Sequence, residues 1–266
     1  MATETVRSKD GTTIAFSRTG IGPSLVFVDG ALCYRAFGPS KQMAEQLSPY
    51  YTVFTYDRRG RGESGNTPPY AMEREVEDLD AVIQAAGGSA LMLALSSGVV
   101  LALEAARRGL AVTKLAVYEA PFIVDAECPP ISDDFLPRLR QFLAEERRGD
   151  AVKHFMRLVQ VPAIGIFVMQ LMPSWKKLKS VAPTLVHDIT MVERYQHGQP
   201  LPADRWSSVH QPTLVMDGGK SPAWMRNAQR ALAEAVPGAK SRTLEGQTHM
   251  VSAKILAPAV VEFFQS

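Results

Sequence analysis

The sequence predicts an α/β protein built on a mostly parallel β-sheet with helices on both faces. Short apolar runs alternate along the chain with longer runs whose apolar residues recur at helical spacing. Several of the short runs are apolar throughout, which is typical of strands that are buried on both faces of a parallel sheet. Repeated strand and helix units of this kind fold into such a sheet, and ligands then bind beyond the carboxyl ends of its strands.

The first half of the chain predicts a hairpin followed by alternating strands and helices. Two β-prone runs flank the turn signal Asp10-Gly11 and therefore predict the hairpin. The helix over 72–86 has apolar residues on one face and most of its acidic residues on the other, and Gly87-Gly88 ends it. The predicted strands are 3–7, 12–18, 24–28, 51–56 and 90–95, and the predicted helices are 40–47, 72–86 and 97–108.

The second half of the chain interrupts this alternation with a long helical segment. Residues 123–209 contain no convincing strand, and prolines separate their helical patterns. We therefore predict a core domain formed by residues 1–122 and 210–266, with residues 123–209 as a helical cap. The predicted strands are 114–118, 213–216 and 240–244; the predicted core helices are 222–235 and 253–264, and the cap helices are 134–146, 151–159, 164–171 and 185–195.

The composition argues against several classes of partner. The 29 basic and 27 acidic residues nearly cancel and form no charged block, so neither nucleic acid nor a membrane is an expected partner. Cys33 and Cys128 have no metal-ligand spacing and give no disulfide framework. No signal peptide or membrane span is predicted, so we expect a cytoplasmic protein. We predict a small-molecule substrate, no metal and no cofactor; the oligomeric state stays open.

The turn between the fifth predicted strand and the next helix carries two serines. It reads Ala94-Leu95-Ser96-Ser97-Gly98, which matches the G-x-S-x-G pattern of a nucleophile elbow with alanine for the first glycine. Such a turn holds the serine oxygen beside the first free N–H groups of a helix. Ser96 has small residues two positions before and after it, as the tight turn requires, and Ser97 does not. Ser96 is therefore the predicted nucleophile.

Four motifs stand at the ends of predicted strands: Val28-Asp29-Gly30, Tyr56-Asp57-Arg58-Arg59-Gly60-Arg61-Gly62-Glu63-Ser64, the serine turn, and Gly246-Gln247-Thr248-His249. Together they resemble the motifs of the α/β-hydrolase superfamily, and the resemblance covers nearly the whole chain. It implies the α/β-hydrolase fold, with an eight-stranded sheet and a helical cap between strands 6 and 7. It also implies that the second motif, similar to the family's D-x-R-G-x-G-x-S loop, is structural.

A serine hydroxyl needs a base within hydrogen-bond reach and a third group that orients the base. The resemblance implies that His249 is this base, because it follows the last strand in the loop where the family's histidine lies. The remaining histidines are expected at the surface or in the cap, with His187 the nearest to the substrate pocket. They are His154, His187, His197 and His210.

The acid of the triad is less easily assigned. The family usually carries it after the seventh strand, and aligning Pro222 with the family's proline leaves Ser221 at that position. Glu119, at the end of the sixth strand, resembles the alternative acid of certain haloalkane dehalogenases and of the zearalenone-type lactonases. Adjacent strands can offer a carboxylate to the same histidine, so we predict Glu119. Asp217 and then Asp125 are the remaining candidates.

The oxyanion hole is predicted from backbone N–H groups. Ser97 supplies one of them, and Ala31 or Leu32 in the loop after the third strand supplies the other. The zearalenone-type lactonases are similar in carrying Asp-Gly in this loop and Ser-Ser-Gly at the elbow. The substrate pocket is predicted from apolar and adaptable side chains, mostly of the cap. Its candidate residues are Cys33, Phe122, Met156, Met169, Trp175 and His187.

These residues predict a cofactor-free serine hydrolase that acts on carboxylic esters or lactones of a small, largely apolar substrate through an acyl-enzyme on Ser96. Two alternatives stay open. One is a cofactor-free perhydrolase, similar to the non-haem haloperoxidases, which uses the same triad to make peracids. The other is a ligand-binding member of the family without activity. Serine at the elbow argues against an epoxide hydrolase or a dehalogenase, because both use an aspartate there.

Overall fold

The computed structural model describes residues 2–266 and contains an eight-stranded sheet in the order β1-β2-β4-β3-β5-β6-β7-β8. The pairs β1·β2 and β2·β4 are antiparallel, and the other five neighbouring pairs are parallel. The predicted mostly parallel, eight-stranded sheet is thus confirmed. The strands are β1 Glu4–Arg7, β2 Thr13–Thr19, β3 Ser24–Val28, β4 Thr52–Tyr56, β5 Ala90–Leu95, β6 Val112–Tyr118, β7 Thr213–Gly218 and β8 Lys240–Leu244.

Helices cover both faces of the sheet, because the central strands bury apolar side chains on both sides. Apolar residues of α2, α3 and α9 pack on one face, and those of α1 and α10 pack on the other. No helix within residues 2–266 combines the length and apolar character needed to cross a membrane. The helices that flank the sheet are α1 Ser40–Leu47, α2 Met72–Ala85, α3 Gly98–Arg107, α9 Ala223–Ala235 and α10 Ala253–Gln265.

The segment between β6 and β7 is helical, and its helices share an apolar cluster that also includes Leu32 of the core. Two short 3-10 helices, Ala182–Thr184 and Glu193–Tyr195, adjoin α8 at its two ends. The sequence patterns missed α7, which has only eight residues and lies between two prolines, Pro173 and Pro183. The α-helices of this segment are α4 Phe135–Ala144, α5 Arg148–Leu158, α6 Ala163–Leu171, α7 Ser174–Val181 and α8 Leu185–Val192.

The register of the parallel strands brings the predicted site residues to one edge of the sheet. Leu95 at the end of β5 pairs with Tyr118 of β6, and Tyr118 pairs with Met216 of β7. The residues that follow β5 and β6 are Ser96 and Glu119, so these two begin neighbouring loops. Carboxyl ends of parallel strands are where ligands bind in such sheets.

Candidate active site

Ser96 occupies a strained turn between β5 and α3. Its φ is +54°, a left-handed conformation that is uncommon outside glycine. The turn is crowded: a Cβ on Gly30 would lie 2.8 Å from the Cβ of Ser96, and a Cβ on Gly98 would lie 2.7 Å from the carbonyl oxygens of Val28 and Asp29. Glycine is therefore required at position 98 of the turn and at position 30 of the loop that packs against it. This packing fixes the direction in which the Ser96 hydroxyl projects.

The side chain of His249 lies between Ser96 and Glu119. Its Nε2 is 3.2 Å from the Oγ of Ser96, and its Nδ1 is 2.9 Å from the Oε2 of Glu119. A carboxylate can only accept, so the Nδ1–H donates to Glu119 and leaves the Nε2 lone pair facing the serine hydroxyl. The Tyr118 hydroxyl stabilises the loop that carries His249 by donating to the carbonyl of Thr248 at 2.6 Å. The three predicted residues are thus joined in one chain of hydrogen bonds.

Glu119 is fully buried at the end of β6, and both of its carboxylate oxygens have donors. Oε1 accepts from the backbone N–H of Gly218 at 2.8 Å, and Oε2 faces His249. A Cβ on Gly218 would come within 2.5 Å of the carbonyl of Gln247, so the β7 loop approaches closely only because this residue is glycine. A buried carboxylate is costly unless it is paired, and these two donors supply the pairing.

The other candidate acids bond elsewhere. Asp217 lies at the end of β7 with its Oδ2 3.7 Å from the Nε of Arg226. Asp125 accepts from the Asn227 amide at 2.6 Å and from the Glu127 backbone N–H at 3.0 Å. Ser221, at the position where the resemblance implies the usual acid, is buried, and its hydroxyl has no hydrogen-bond partner among the described residues. Glu119 is the candidate that faces His249.

The three predicted oxyanion-hole residues stand next to Ser96 or shortly after Gly30 in the chain. Ser97 follows Ser96 directly and precedes the first turn of α3. Ala31 and Leu32 follow Gly30, where an added Cβ would lie 2.8 Å from the Cβ of Ser96. Leu32 is buried and has a left-handed φ of +61°. Their role as donors to an oxyanion stays a prediction.

The six predicted pocket residues have varied surroundings. Phe122 is fully buried and packs on Tyr195 with ring centroids 4.9 Å apart. His187 stacks on Tyr70 at 3.9 Å, and burial lowers its pKa to about 4, so its imidazole is neutral at pH 7. The others are Cys33, half-buried in the loop after β3, with Met156, Met169 and Trp175 in or against the helical cluster. Their contribution to a substrate pocket stays a prediction.

Sequence reasoning missed a buried ionic cluster beside the site. Arg58 and Arg61, from the loop after β4, both contact Asp188 of α8, and all three are about 1% exposed. Burial alone raises the pKa of Asp188, but Arg61 and Arg58 overcome that effect and hold the pKa below its usual value. The signal in the sequence for this cluster is one acidic residue, Asp188, within the largely apolar sequence of α8. Among residues 2–266, no three His, Cys, Asp or Glu side chains are arranged to hold a metal ion.

Asp29, at the end of β3, is another buried carboxyl group near the site. It accepts a hydrogen bond from the hydroxyl of Ser40, and its Oδ1 has no partner within the described chain. Burial raises its pKa from 3.8 to about 6. Between about pH 4 and pH 6, the Asp29 carboxyl is therefore protonated in the folded protein and ionised in the unfolded chain. The free energy of unfolding falls as the pH rises through this range, because the unfolded chain binds fewer protons.

Replacing Asp29 with asparagine should remove this pH dependence, because an amide accepts from Ser40 without ionising. The free energy of unfolding of Asp29→Asn, relative to the unmodified protein, is expected to rise by about 2 to 3 kcal/mol between pH 4 and pH 7. Urea unfolding of both proteins at four pH values measures this difference. Parallel stability curves would contradict the prediction.

The chain matches the sequence model of one protein family and is similar to several solved structures. A sequence model of the alpha/beta hydrolase family matches residues 20–258. The crystal structure of an alpha/beta hydrolase from Sphaerobacter thermophilus DSM 20745 matches with a TM-score of 0.91. The two sequences are 50% identical, and the match covers 98% of this chain and 100% of that one. No curated protein matches the chain significantly.

Two more distant structures share the fold. One is a thermophilic esterase from Thermogutta terrifontis, 20% identical, with a TM-score of 0.71 over 100% of this chain and 98% of that one. The other is an enol-lactonase from Burkholderia xenovorans LB400, 19% identical, with a TM-score of 0.73 over 99% of this chain and 100% of that one. At these identities the likeness concerns the fold alone.

Proposed function

The chain belongs to the alpha/beta hydrolase family, and we propose that within this family it cleaves carboxylic esters or lactones through an acyl-enzyme on Ser96. The observation that carries the proposal is the chain of hydrogen bonds from Ser96 through His249 to Glu119. Such a chain supplies the base that a serine hydroxyl needs and the carboxylate that orients the base.

In the acylation half, the Oγ of Ser96 attacks the carbonyl carbon while its proton passes to the Nε2 of His249. Glu119 stabilises the imidazolium that forms, since its buried carboxylate faces Nδ1 at 2.9 Å. The tetrahedral oxyanion accepts from backbone N–H groups of Ser97 and of the loop after Gly30. The intermediate then expels the alkoxide, which takes the proton from Nε2, and the acyl group remains on Ser96.

In the deacylation half, water takes the place of the alcohol. His249 removes a proton from this water as its oxygen attacks the acyl carbonyl, and a second tetrahedral intermediate forms. Collapse of that intermediate breaks the bond to Ser96, and the Oγ recovers the proton from Nε2. A linear ester has by then released an alcohol and an acid, whereas a lactone releases a single hydroxy acid.

The proposed substrate is small and largely apolar. Support comes from the apolar cluster that joins the helical segment to the core, because Leu32, two residues after Gly30, packs there with apolar residues of α4, α5 and α8. An apolar wall contributes to binding roughly in proportion to the apolar area it buries. A small number of polar groups, here Ser96, His249 and the backbone donors, then orients the carbonyl.

Two measurements on the purified protein test the proposal. A fluorophosphonate should modify the protein at one site, with the added mass on the peptide that contains Ser96, since only an activated serine attacks this probe at a useful rate. The same preparation should hydrolyse 4-nitrophenyl butyrate and at least one member of a panel of aliphatic and aromatic lactones. A protein that is neither labelled nor active on esters or lactones would contradict the proposal.

The same experiment separates the alternatives. A labelled protein that forms peracid from acetate and hydrogen peroxide much faster than it hydrolyses any ester is a perhydrolase. An unlabelled protein that still binds an apolar ester analogue in calorimetry is a ligand-binding member. Either outcome would replace the proposed activity.

A further inference from the structure

Asp188 reaches from the helical segment into the core and binds three core side chains. Its Oδ1 accepts from the Ser97 hydroxyl at 2.8 Å and from the Nη1 of Arg58 at 2.7 Å, and its Oδ2 accepts from the Nη2 of Arg61 at 2.6 Å. The carboxylate is 1% exposed. One buried carboxylate of α8 therefore contacts both the residue after the nucleophile and the arginine pair of the β4 loop.

Arg61, which binds Asp188, also binds the loop that follows β3. Its Nη1 donates to the carbonyl of Gly30 at 2.6 Å and to the carbonyl of Cys33 at 3.1 Å, and its Nε donates to the hydroxyl of Thr184 at 3.1 Å. The guanidinium is planar and has fixed donor directions. With Asp188 on one edge, Arg61 therefore has little freedom to move relative to the Gly30 carbonyl.

The direction of the Gly30 carbonyl determines that of the next N–H group. Within residues 2–266 the cis peptide bond is Pro68-Pro69, so the Gly30–Ala31 peptide is trans. In a trans peptide the C=O and N–H groups point in opposite directions. Because the carbonyl points at Arg61, the Ala31 N–H points away from Arg61. Gly30 itself lies close to the nucleophile, since a Cβ on Gly30 would be 3.4 Å from the Oγ of Ser96. Of the two candidates Ala31 and Leu32, this geometry favours Ala31 as the oxyanion donor.

We propose that Asp188 is a positioning residue that sets both halves of the oxyanion hole from the helical segment. It orients the Ala31 N–H through Arg61 and the Gly30 carbonyl, and it fixes the Ser97 backbone through the Ser97 hydroxyl. The inference rests on the proposed acyl transfer at Ser96. Its consequence is that removal of the Asp188 charge weakens binding of the transition state more than binding of the ester.

A merely structural ion pair would behave differently, and the chain contains one for comparison. Arg59 and Asp78 are 0% and 1% exposed and pair through two contacts of 2.7 Å, as tight as those of Asp188. The other bonds of Arg59 are to Asp10 and to the carbonyl of Arg74, rather than to the loop after β3. Asp78→Asn is therefore a matched control for the loss of a buried ionic contact.

The test compares Asp188→Asn with Asp78→Asn. We measure kcat and KM with 4-nitrophenyl butyrate and the inhibition constant of an alkyl trifluoromethyl ketone, whose serine adduct carries an oxyanion. For Asp188→Asn we expect kcat to fall about 100-fold, as when one oxyanion donor is lost, with KM within about threefold. The inhibition constant should rise by a factor similar to the loss in kcat. Asp78→Asn should lose stability in urea and keep kcat, KM and inhibition within about threefold.

A second variant covers the case in which Asp188→Asn does not fold. Ser97→Ala removes a single hydroxyl and leaves the arginine pairs intact, and it should lower kcat and ketone affinity together by about tenfold. Two outcomes would overturn the inference while the proposed function stands. One is equal kinetics for Asp188→Asn and Asp78→Asn. The other is an unchanged ketone affinity in Ser97→Ala. A wild-type protein that is neither labelled nor active would contradict the proposed function, and the inference with it.

Discussion

Replacing Ser96 with alanine is expected to lower kcat by about 10⁶-fold on any ester or lactone that the protein hydrolyses. Losses of this size follow removal of the nucleophile from a serine triad, because backbone donors and substrate binding alone supply the remaining rate. The variant should fold normally, since Ser96 is only partly buried and alanine adopts the turn as readily as serine does. Progress curves at high enzyme concentration, together with loss of fluorophosphonate labelling, measure the effect.

The adjacent serine provides the control for this substitution. Ser97→Ala should remain labelled on Ser96 and keep about a tenth of the wild-type kcat, because its backbone N–H survives the change. If Ser97→Ala lost all activity while Ser96→Ala retained it, the nucleophile would be Ser97. If neither variant lost activity, the hydrolysis would come from another group.

Replacing Glu119 with glutamine is expected to lower kcat by about 10⁴-fold, the size of the loss when a triad acid becomes an amide. The structure gives the reason. The Gly218 N–H donates to Oε1 at 2.8 Å, so a glutamine keeps its carbonyl oxygen there and turns its NH₂ group towards the Nδ1 of His249. Nδ1 must then accept, and the proton moves to Nε2, where it faces Ser96 and blocks general-base action.

The matched control is Asp217→Asn on the neighbouring strand. Asp217 is also buried, but its carboxylate lies beside Arg226, so its loss should change kcat by less than about fivefold. Circular dichroism checks that both variants fold, and their rates with one aryl ester show which acid serves His249. A large loss in Asp217→Asn with little change in Glu119→Gln would transfer the role of the acid to Asp217.

Much of the fold could be predicted because its signals are local. The strand before Ser96 is apolar throughout, the turn has small residues at the required positions, and α3 continues the apolar pattern. Parallel strands then bring their carboxyl ends to one edge, which places Glu119 one strand away from Ser96 without further information. The helix α7 was missed because a short segment between prolines gives too few turns for periodicity to be recognised.

The ionic cluster was missed for a different reason. Arg58 and Asp188 are 130 positions apart, and no periodicity relates them. The β4 loop motif resembles a structural loop of the family, and an acidic residue on a short helix ordinarily faces water. Only the packing of α8 against the core shows that this carboxylate is buried. The choice between Ala31 and Leu32 depends on the same cluster, since it follows from the direction of one carbonyl.

The bonds of Asp188 also determine where the helical segment can be exchanged for protein engineering. A chimera that replaces everything between β6 and β7 would leave Arg61 buried without its carboxylate, and breaking a buried pair in this way typically costs about 3 to 5 kcal/mol. Such a graft would lose turnover for reasons unrelated to the new substrate. If the proposed function holds, exchange limited to α4–α7, with Thr184 and α8 retained, is expected to alter selectivity while leaving the bonds of Arg61 and Ser97 in place.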